Sequence, residues 1–237
     1  MNRLALMLLK NLHRLPRALG KLWHYAKHTE KYPELEKYRH IQSVMKLAVR
    51  AGNVDLQVFG QENIPQENGF IMYGNHQGMF DVVAISGTCT IPLGAVFKKE
   101  LSEIPMVKQI CQCTRSFAMD REDVRQSLTV IQNVTKEVQN GRKYLIFPEG
   151  TRSRNGNVMG EFHGGSFRCA LKAKCPIVPI ALVDSFKVRE QKGSKPLTVQ
   201  LHYLEPIPYE QFQHMKTGEI AELVKSRIQE VLDREAN

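Results

Sequence analysis

The chain has 237 residues, of which 42% are hydrophobic and 24% are charged, and these values indicate a folded protein with one sizeable core. They exclude a globally disordered chain. The formal net charge is +9, but it is unevenly distributed: residues 1–50 contain 11 Lys/Arg and 3 Glu and so carry +8. The rest of the chain is nearly neutral, which argues against binding of nucleic acid.

Residues 1–28 have the pattern of an amphipathic helix. Trp23 and Tyr25 suit the depth of lipid headgroups, and no acidic residue precedes Glu30. An apolar stripe often packs on a protein core, but the absence of acidic residues favours contact with an anionic membrane surface. Pro16 is expected to kink or divide the helix. The stripe consists of leucines spaced by three or four residues, namely Leu4, Leu8, Leu12, Leu15, Leu19 and Leu22.

A second helix is predicted from Pro33 to near Gly52, so that residues 1–53 form a basic amphipathic helical hairpin. We assign residues 54–237 to an α/β domain. No apolar run approaches the ~18 residues needed to cross a bilayer. The run at residues 4–9 is also shorter than the apolar core of a secretion signal. We therefore expect the hairpin to be retained and to hold the protein on the membrane as a peripheral or monotopic protein.

Beyond residue 54, short apolar runs alternate with helical patterns. The clearest helices are at residues 121–140, which Asp120 is expected to cap, and at residues 217–235. This alternation predicts an α/β fold with a mostly parallel central sheet flanked by helices. The predicted strands lie within residues 56–60, 69–75, 92–97, 144–150, 176–183 and 197–204.

One predicted strand runs directly into Asn75 and His76, and Asp81 follows five positions after the histidine. Five residues of regular helix would place His76 and Asp81 on different faces. They can meet only if His76 lies in the turn before a helix that begins near Gly78. In that geometry the carboxylate fixes the imidazole tautomer and leaves the other ring nitrogen as a base. The alternative is a carboxylate that favours the helix dipole beside a histidine that only fills space.

A second predicted strand runs into Phe-Pro-Glu-Gly-Thr-Arg-Ser-Arg at residues 147–154. This sequence places a carboxylate and two arginines beside a glycine, at the strand end where α/β proteins gather functional groups. Arginines suit a phosphate group because they form bidentate, charge-assisted hydrogen bonds. The alternative is a surface loop with an internal Glu–Arg pair.

The order of these motifs resembles that of the glycerolipid acyltransferase family, which contains the 1-acyl-glycerol-3-phosphate acyltransferases. The resemblance covers about residues 55–185 and implies a fold like that of glycerol-3-phosphate acyltransferase. Its motifs match Asn75, His76 and Asp81, then Arg121 in Phe-Ala-Met-Asp-Arg, then Phe147 to Ser153, then the apolar stretch around Pro179.

The reaction implied by the resemblance transfers a fatty acyl chain from a thioester to the sn-2 hydroxyl of 1-acyl-glycerol-3-phosphate (lysophosphatidic acid), giving phosphatidic acid. His76 would act as general base and Asp81 would orient it. Arg121 and Arg152 would hold the phosphate, with Lys98 as a further candidate. The remaining site residues implied are Glu149, which would organise the glycerol or the arginines, Gly150 and Thr151, with motif support from Asn75, Phe147, Pro148 and Pro179.

The same resemblance implies no bound cofactor and no metal, because the acyl donor, acyl-CoA or acyl-carrier protein, is a co-substrate. Five cysteines without the spacing of a zinc site also predict free thiols. The expected partners are lysophosphatidic acid and the anionic lipid surface at the cytoplasmic face of the cell membrane. Backbone N–H groups near the helix start after Gly78 are expected to stabilise the oxyanion.

Three alternatives remain open at this point. A member of the same family could act on another lysophospholipid or on glycerol-3-phosphate. A lipid hydrolase is suggested by His-Gly-Gly-Ser-Phe at residues 163–167, which is similar to the oxyanion loop of lipases. However, the chain has no Gly-x-Ser-x-Gly sequence to present a nucleophile. A non-catalytic membrane-binding module is disfavoured by the complete His–Asp pair.

Overall fold

Three N-terminal helices precede the first strand in the computed structural model, which describes residues 3–193 and 195–235. They are α1 (Arg3–Lys10), α2 (Leu15–Lys27) and α3 (Glu34–Ala51). Pro16 lies in the first turn of α2, where proline is tolerated, so the predicted first helix is divided at this point. Residues 1 and 2 of that predicted helix, and residues 236 and 237 of the predicted α/β domain, lie outside the described residues.

The central element is a 7-stranded sheet in the order β1-β7-β6-β2-β5-β3-β4. Neighbouring strands are parallel except for β6 and β7, which confirms the predicted mostly parallel α/β fold. The sequence patterns do not predict β4, because it is a three-residue edge strand without a fully buried side chain. The strands are β1 (Val54–Phe59), β2 (Phe70–Gly74), β3 (Gly94–Lys98), β4 (Phe117–Met119), β5 (Lys143–Ile146), β6 (Ile177–Val183) and β7 (Leu197–Tyr203).

The remaining helices connect the strands and cover the sheet. They are α4 (Met79–Thr88), α5 (Val107–Thr114), α6 (Val124–Gln139), α7 (Arg168–Ala173), α8 (Lys187–Glu190), α9 (Tyr209–Phe212) and α10 (Thr217–Glu235). The predicted cap of α6 is wrong by three residues. Asp123, rather than Asp120, accepts a hydrogen bond from the N–H of Gln126, while Asp120 pairs with Lys99.

The N-terminal helices share an apolar core with the sheet. Met7 of α1 and Tyr38 of α3 pack in the same cluster as Phe80 of α4 and strand residues such as Met72. A second core, between α6, α7, α10 and the sheet, contains Phe167 and Val224, among others. The division of the chain at residue 53 into a hairpin and an α/β domain stays a prediction.

The outer surface of α1 is apolar. Leu8, Leu9 and Leu12, at its C-terminal end and in the following turn, are more than half exposed. Arg3, at the other end of the helix, is buried and donates hydrogen bonds to the carbonyls of Gly52 and Lys195. None of the helices in residues 3–193 and 195–235 combines the length and the apolarity needed to cross a bilayer.

Candidate active site

The two predicted chemical motifs meet because three strands end at the same edge of the sheet. Tyr73 of β2 is level with Ile146 of β5 on one side and with Pro179 of β6 on the other. The residues that follow β2 and β5 therefore leave the sheet side by side. Strand register, rather than closeness in the sequence, joins the His76 motif to the segment that starts at Phe147.

His76 lies in the turn before α4 and contacts Asp81, as predicted. The His76 Nδ1 and the Asp81 Oδ2 are 2.7 Å apart, and the same oxygen accepts hydrogen bonds from the N–H groups of Gln77 at 2.6 Å and Gly78 at 2.8 Å. Asp81 is fully buried, in the first turn of α4, whereas the His76 side chain is 19% exposed. An ionised Asp81 makes Nδ1 the protonated ring nitrogen and leaves Nε2 with a free lone pair, so the geometry provides a base.

Ser185 is a site residue that the sequence patterns do not identify. It follows β6, is buried, and donates its hydroxyl hydrogen bond to Oδ1 of Asp81. Both oxygens of Asp81 are thus occupied, one by Ser185 and the other by His76 and backbone N–H groups. Multiple hydrogen bonds fix the direction in which the carboxylate faces, and this direction sets the orientation of the imidazole.

The segment after β5 holds His76 from three sides. The Phe147 ring stacks on the imidazole with ring centroids 4.2 Å apart and an interplanar angle of 18°. The backbone N–H of His76 donates to Oε1 of Glu149 at 2.7 Å, and its carbonyl accepts from the N–H of Ser153 at 2.7 Å. The ring and both backbone polar groups of His76 are therefore positioned by one loop.

Glu149 has different partners from those that the sequence suggests. Its second oxygen accepts the N–H of Gly160 at 2.8 Å, so both oxygens bind backbone groups rather than arginines. The side chain is 4% exposed, and this burial raises the pKa of the Glu149 carboxyl, although the hydrogen bonds from His76 and Gly160 oppose the shift. Glu149 therefore joins two loops and pairs with no arginine among the described residues, while its expected role in organising the glycerol stays a prediction.

Asn75 and Gln77 connect the His76 turn to β6. The Asn75 amide accepts from the N–H of Leu182 and donates to its carbonyl, so it extends the sheet pairing beyond Gly74. The Gln77 amide donates to the Leu182 carbonyl and to Asn157, a residue that no sequence pattern identifies. An amide side chain provides a donor and an acceptor together, which explains the choice of these residue types.

The predicted phosphate-binding residues lie at the solvent-exposed rim. Arg121 approaches Gly150, which has a left-handed φ of +68°. Partial desolvation lowers the pKa of the Arg121 guanidinium, with an opposing contribution from Glu100, and a guanidinium remains charged at neutral pH. Thr151 and Arg152 are exposed in the loop after Gly150. The structure thus places an arginine beside Gly150 and a second one two residues after it.

Three other predicted residues contact protein groups. The Lys98 ammonium forms an exposed ion pair with Glu100 at 2.7 Å, so it is not free for a ligand in this arrangement. The carbonyl of Pro148 accepts a hydrogen bond from the N–H of His163, and the carbonyl of Pro179 accepts one from the N–H of Leu204. Both prolines therefore connect the site to neighbouring backbone through their carbonyl groups.

The hydrolase alternative receives no support from residues 163–167. A side chain added at Gly164 would meet backbone atoms of Thr217 and Gly218 within 3.2 Å, so this loop packs against the start of α10. The Ser166 hydroxyl donates to the His163 carbonyl instead of to a base. Within residues 3–193 and 195–235, no group of three His, Cys, Asp or Glu residues is placed to hold a metal ion.

Comparison with known proteins was made by sequence and by fold. The family model for acyltransferases matches residues 55–183. A 1-acyl-sn-glycerol-3-phosphate acyltransferase of Borreliella burgdorferi is 28% identical over 68% of this chain and 65% of its own length. The protein of that name from Saccharomyces cerevisiae is 27% identical over 80% of this chain and 62% of its own length. The chain thus spans slightly less than two thirds of these curated relatives.

A solved structure shares the fold of nearly the whole chain. The crystal structure of the 1-acyl-sn-glycerophosphate (LPA) acyltransferase from Thermotoga maritima matches with a TM-score of 0.75 and 20% identity, over 98% of this chain and 97% of the other. This similarity includes the N-terminal helices as well as the sheet.

Proposed function

The chain belongs to the acyltransferase family, and we propose on this basis that it transfers a fatty acyl chain from an acyl thioester to the sn-2 hydroxyl of 1-acyl-glycerol-3-phosphate, giving phosphatidic acid. The observation that carries the proposal is the hydrogen bond of 2.7 Å between His76 and the buried Asp81. This bond leaves Nε2 of His76 as the base at the carboxyl ends of the central strands. The names of the curated relatives support the acceptor.

In the proposed reaction, Nε2 of His76 removes the proton from the acceptor hydroxyl while the hydroxyl oxygen attacks the thioester carbonyl. Asp81 stabilises the imidazolium that forms. The carbonyl oxygen becomes an oxyanion in the tetrahedral intermediate. When this intermediate collapses, the C–S bond breaks, the thiolate leaves, and the proton held on His76 passes to it. The products are an ester and a thiol.

The first turn of α4 offers two donors for the oxyanion. Asp81 already accepts from the N–H groups of Gln77 and Gly78. The next two backbone N–H groups, those of Met79 and Phe80, have no acceptor within the described part of the chain. We assign the oxyanion to these two donors, at a helix N-terminus that favours negative charge.

Arg121 and Arg152 hold the acceptor phosphate in this proposal, because Asp81 and Glu149 are already occupied by other groups and do not neutralise them. The acyl donor is acyl-CoA or acyl-carrier protein. No resident cofactor or metal is proposed, because the substrate hydroxyl is the nucleophile and a thiolate is a good leaving group.

We also propose that α1 places the site against the membrane from the cytoplasmic face. Leu8, Leu9 and Leu12 present an exposed apolar surface on a segment with an excess of basic residues. Because Leu6 and Met7 of the same helix are buried, a deletion would disturb the core, and substitution is the better test. Changing the three exposed leucines to serine should weaken binding to anionic vesicles without lowering the melting temperature. Unchanged vesicle binding would contradict this attachment.

The reaction is tested with purified protein in lipid, using a panel of acceptors and donors and detection by mass spectrometry. The acceptors are lysophosphatidic acid, other lysophospholipids and glycerol-3-phosphate, and the donors are acyl-CoA and acyl-carrier protein. His76→Ala should lower turnover at least about 100-fold, because a general base contributes roughly 10²–10⁴ in rate. His214→Ala, which removes an exposed histidine outside the motifs, is the matched control. Turnover that survives in His76→Ala would overturn the proposed base.

A further inference from the structure

His163 faces the candidate site with its side chain while its backbone is held in place. Its N–H donates to the Pro148 carbonyl at 3.0 Å, and its own carbonyl accepts from the N–H of Ser166 at 3.0 Å. The side chain is exposed, and neither ring nitrogen has a hydrogen-bond partner among residues 3–193 and 195–235. The imidazole is thus a polar group on a well-held backbone, and the proposed reaction has not used it.

The space above Gly150 lies between His163 and Arg121. A Cβ built at Gly150 would be 3.7 Å from Nε2 of His163 and 3.7 Å from Nε of Arg121. Two nitrogens from different parts of the chain therefore approach the same small volume, which is open because residue 150 has no side chain. The carboxylate next to it in the sequence, that of Glu149, accepts from two backbone N–H groups and pairs with neither His163 nor Arg121.

We propose that His163 is a second binding group for the acceptor phosphate, acting across Gly150 from Arg121. This inference rests on the proposed function. A phosphate oxygen above Gly150 would accept a hydrogen bond from Nε2 of a neutral imidazole, or a charge-assisted one from an imidazolium. The motif at residues 163–167 then has a role in recognising the acceptor, in place of the oxyanion loop that its sequence suggests.

The proposal gives His163 a role in binding the acceptor and none in the proton transfer carried out by His76. Removal of its side chain should therefore change the KM for lysophosphatidic acid more than kcat. The acyl donor has its thioester at His76, so its KM should not change. A purely structural role would alter both KM values or kcat.

The experiment compares His163→Ala, His163→Gln and His163→Lys in the full chain, with lysophosphatidic acid and an acyl donor. We expect His163→Ala to raise the KM for lysophosphatidic acid by on the order of 10-fold, the effect of one hydrogen bond to a charged group. His163→Gln keeps a donor without a charge and should lie between wild type and His163→Ala. His163→Lys restores a cation and should return the KM towards that of wild type. His214→Ala is the control.

Thermal denaturation will check that each variant is folded, which we expect because the His163 ring is exposed. An unchanged KM for lysophosphatidic acid in His163→Ala, or an equal change in the KM of the donor, would overturn the inference. So would a KM in His163→Lys as high as that in His163→Ala. Wild-type protein that does not acylate lysophosphatidic acid would instead overturn the proposed function, so the two failures are distinguishable.

Discussion

Replacing Glu149 with glutamine tests whether the loop after β5 positions His76, the proposed base. The carboxylate accepts the N–H of His76 through one oxygen and the N–H of Gly160 through the other. Glutamine has the same shape but only one acceptor oxygen. Its NH₂ group must therefore face one of the two backbone N–H groups, which loses its hydrogen bond inside a buried site.

The expected loss of stability follows from this change. One buried donor without a partner costs about 1–3 kcal/mol, and a neutral amide bond is weaker than a bond to a carboxylate. The amide also removes the cost of burying a charge, the same cost that raises the pKa of Glu149. We therefore expect Glu149→Gln to lower the free energy of unfolding by about 1–2 kcal/mol. Glu149→Met leaves both N–H groups unpaired and should cost about twice as much.

The free energy of unfolding is measured by urea denaturation followed by circular dichroism, and kcat is measured in parallel. Displacement of His76 should lower kcat by on the order of 10- to 100-fold, since small errors in position are costly. Glu103→Gln, at an exposed carboxylate paired with Lys108, is the control and should stay within about 0.5 kcal/mol of wild type. A stability and a kcat in Glu149→Gln equal to those of wild type would refute the clamp.

The raised pKa of Glu149 adds a dependence on pH with a defined sign. A carboxyl whose folded pKa is above its unfolded value binds a proton more tightly in the folded chain. The resulting stabilisation is fully present below the unfolded pKa of the glutamate and is lost as the pH rises through the folded pKa. As the pH rises from the unfolded to the folded pKa of Glu149, the free energy of unfolding of wild type minus that of Glu149→Gln should fall. Above the folded pKa this difference should stay level. A difference that rises with pH would contradict the direction of the shift.

Three further changes test other contacts. Ser185→Ala removes the donor to Asp81 and should lower the free energy of unfolding in urea by about 1–3 kcal/mol, with a lower kcat and an unchanged KM for the acceptor. An unchanged kcat would show that Asp81 does not need this hydrogen bond. Phe147→Ala removes the ring stacked on His76 and should lower kcat more than Phe147→Leu, which keeps an apolar contact; equal effects would exclude a role of the stack. Arg3→Met removes the hydrogen bonds from α1 to the carbonyls of Gly52 and Lys195 and should speed amide hydrogen exchange in α1. An unchanged exchange rate would mean that apolar packing alone holds the helix.

The local arrangement of His76 and Asp81 could be predicted from the sequence, because it depends on neighbouring residues. Asp81 is in the first turn of a helix that begins after Gly78, and its side chain reaches back to His76 only five positions earlier. A carboxylate at this position of a helix takes up the free N–H groups of the preceding turn. The order of the motifs identified the family for the same reason, since each motif is a short local pattern.

The partners that hold the base in place could not be predicted in this way. Glu149 is 73 positions from His76, and Ser185 is 104 positions from Asp81. Their contacts depend on β2, β5 and β6 ending at the same level, which is a property of strand register and of packing on both faces of the sheet. The sequence identified a glutamate and two arginines as one site. Only the tertiary structure showed that Glu149 binds the backbone of His76, because a buried carboxylate takes the nearest unpaired N–H groups and that of His76 belongs to a turn distant in the chain.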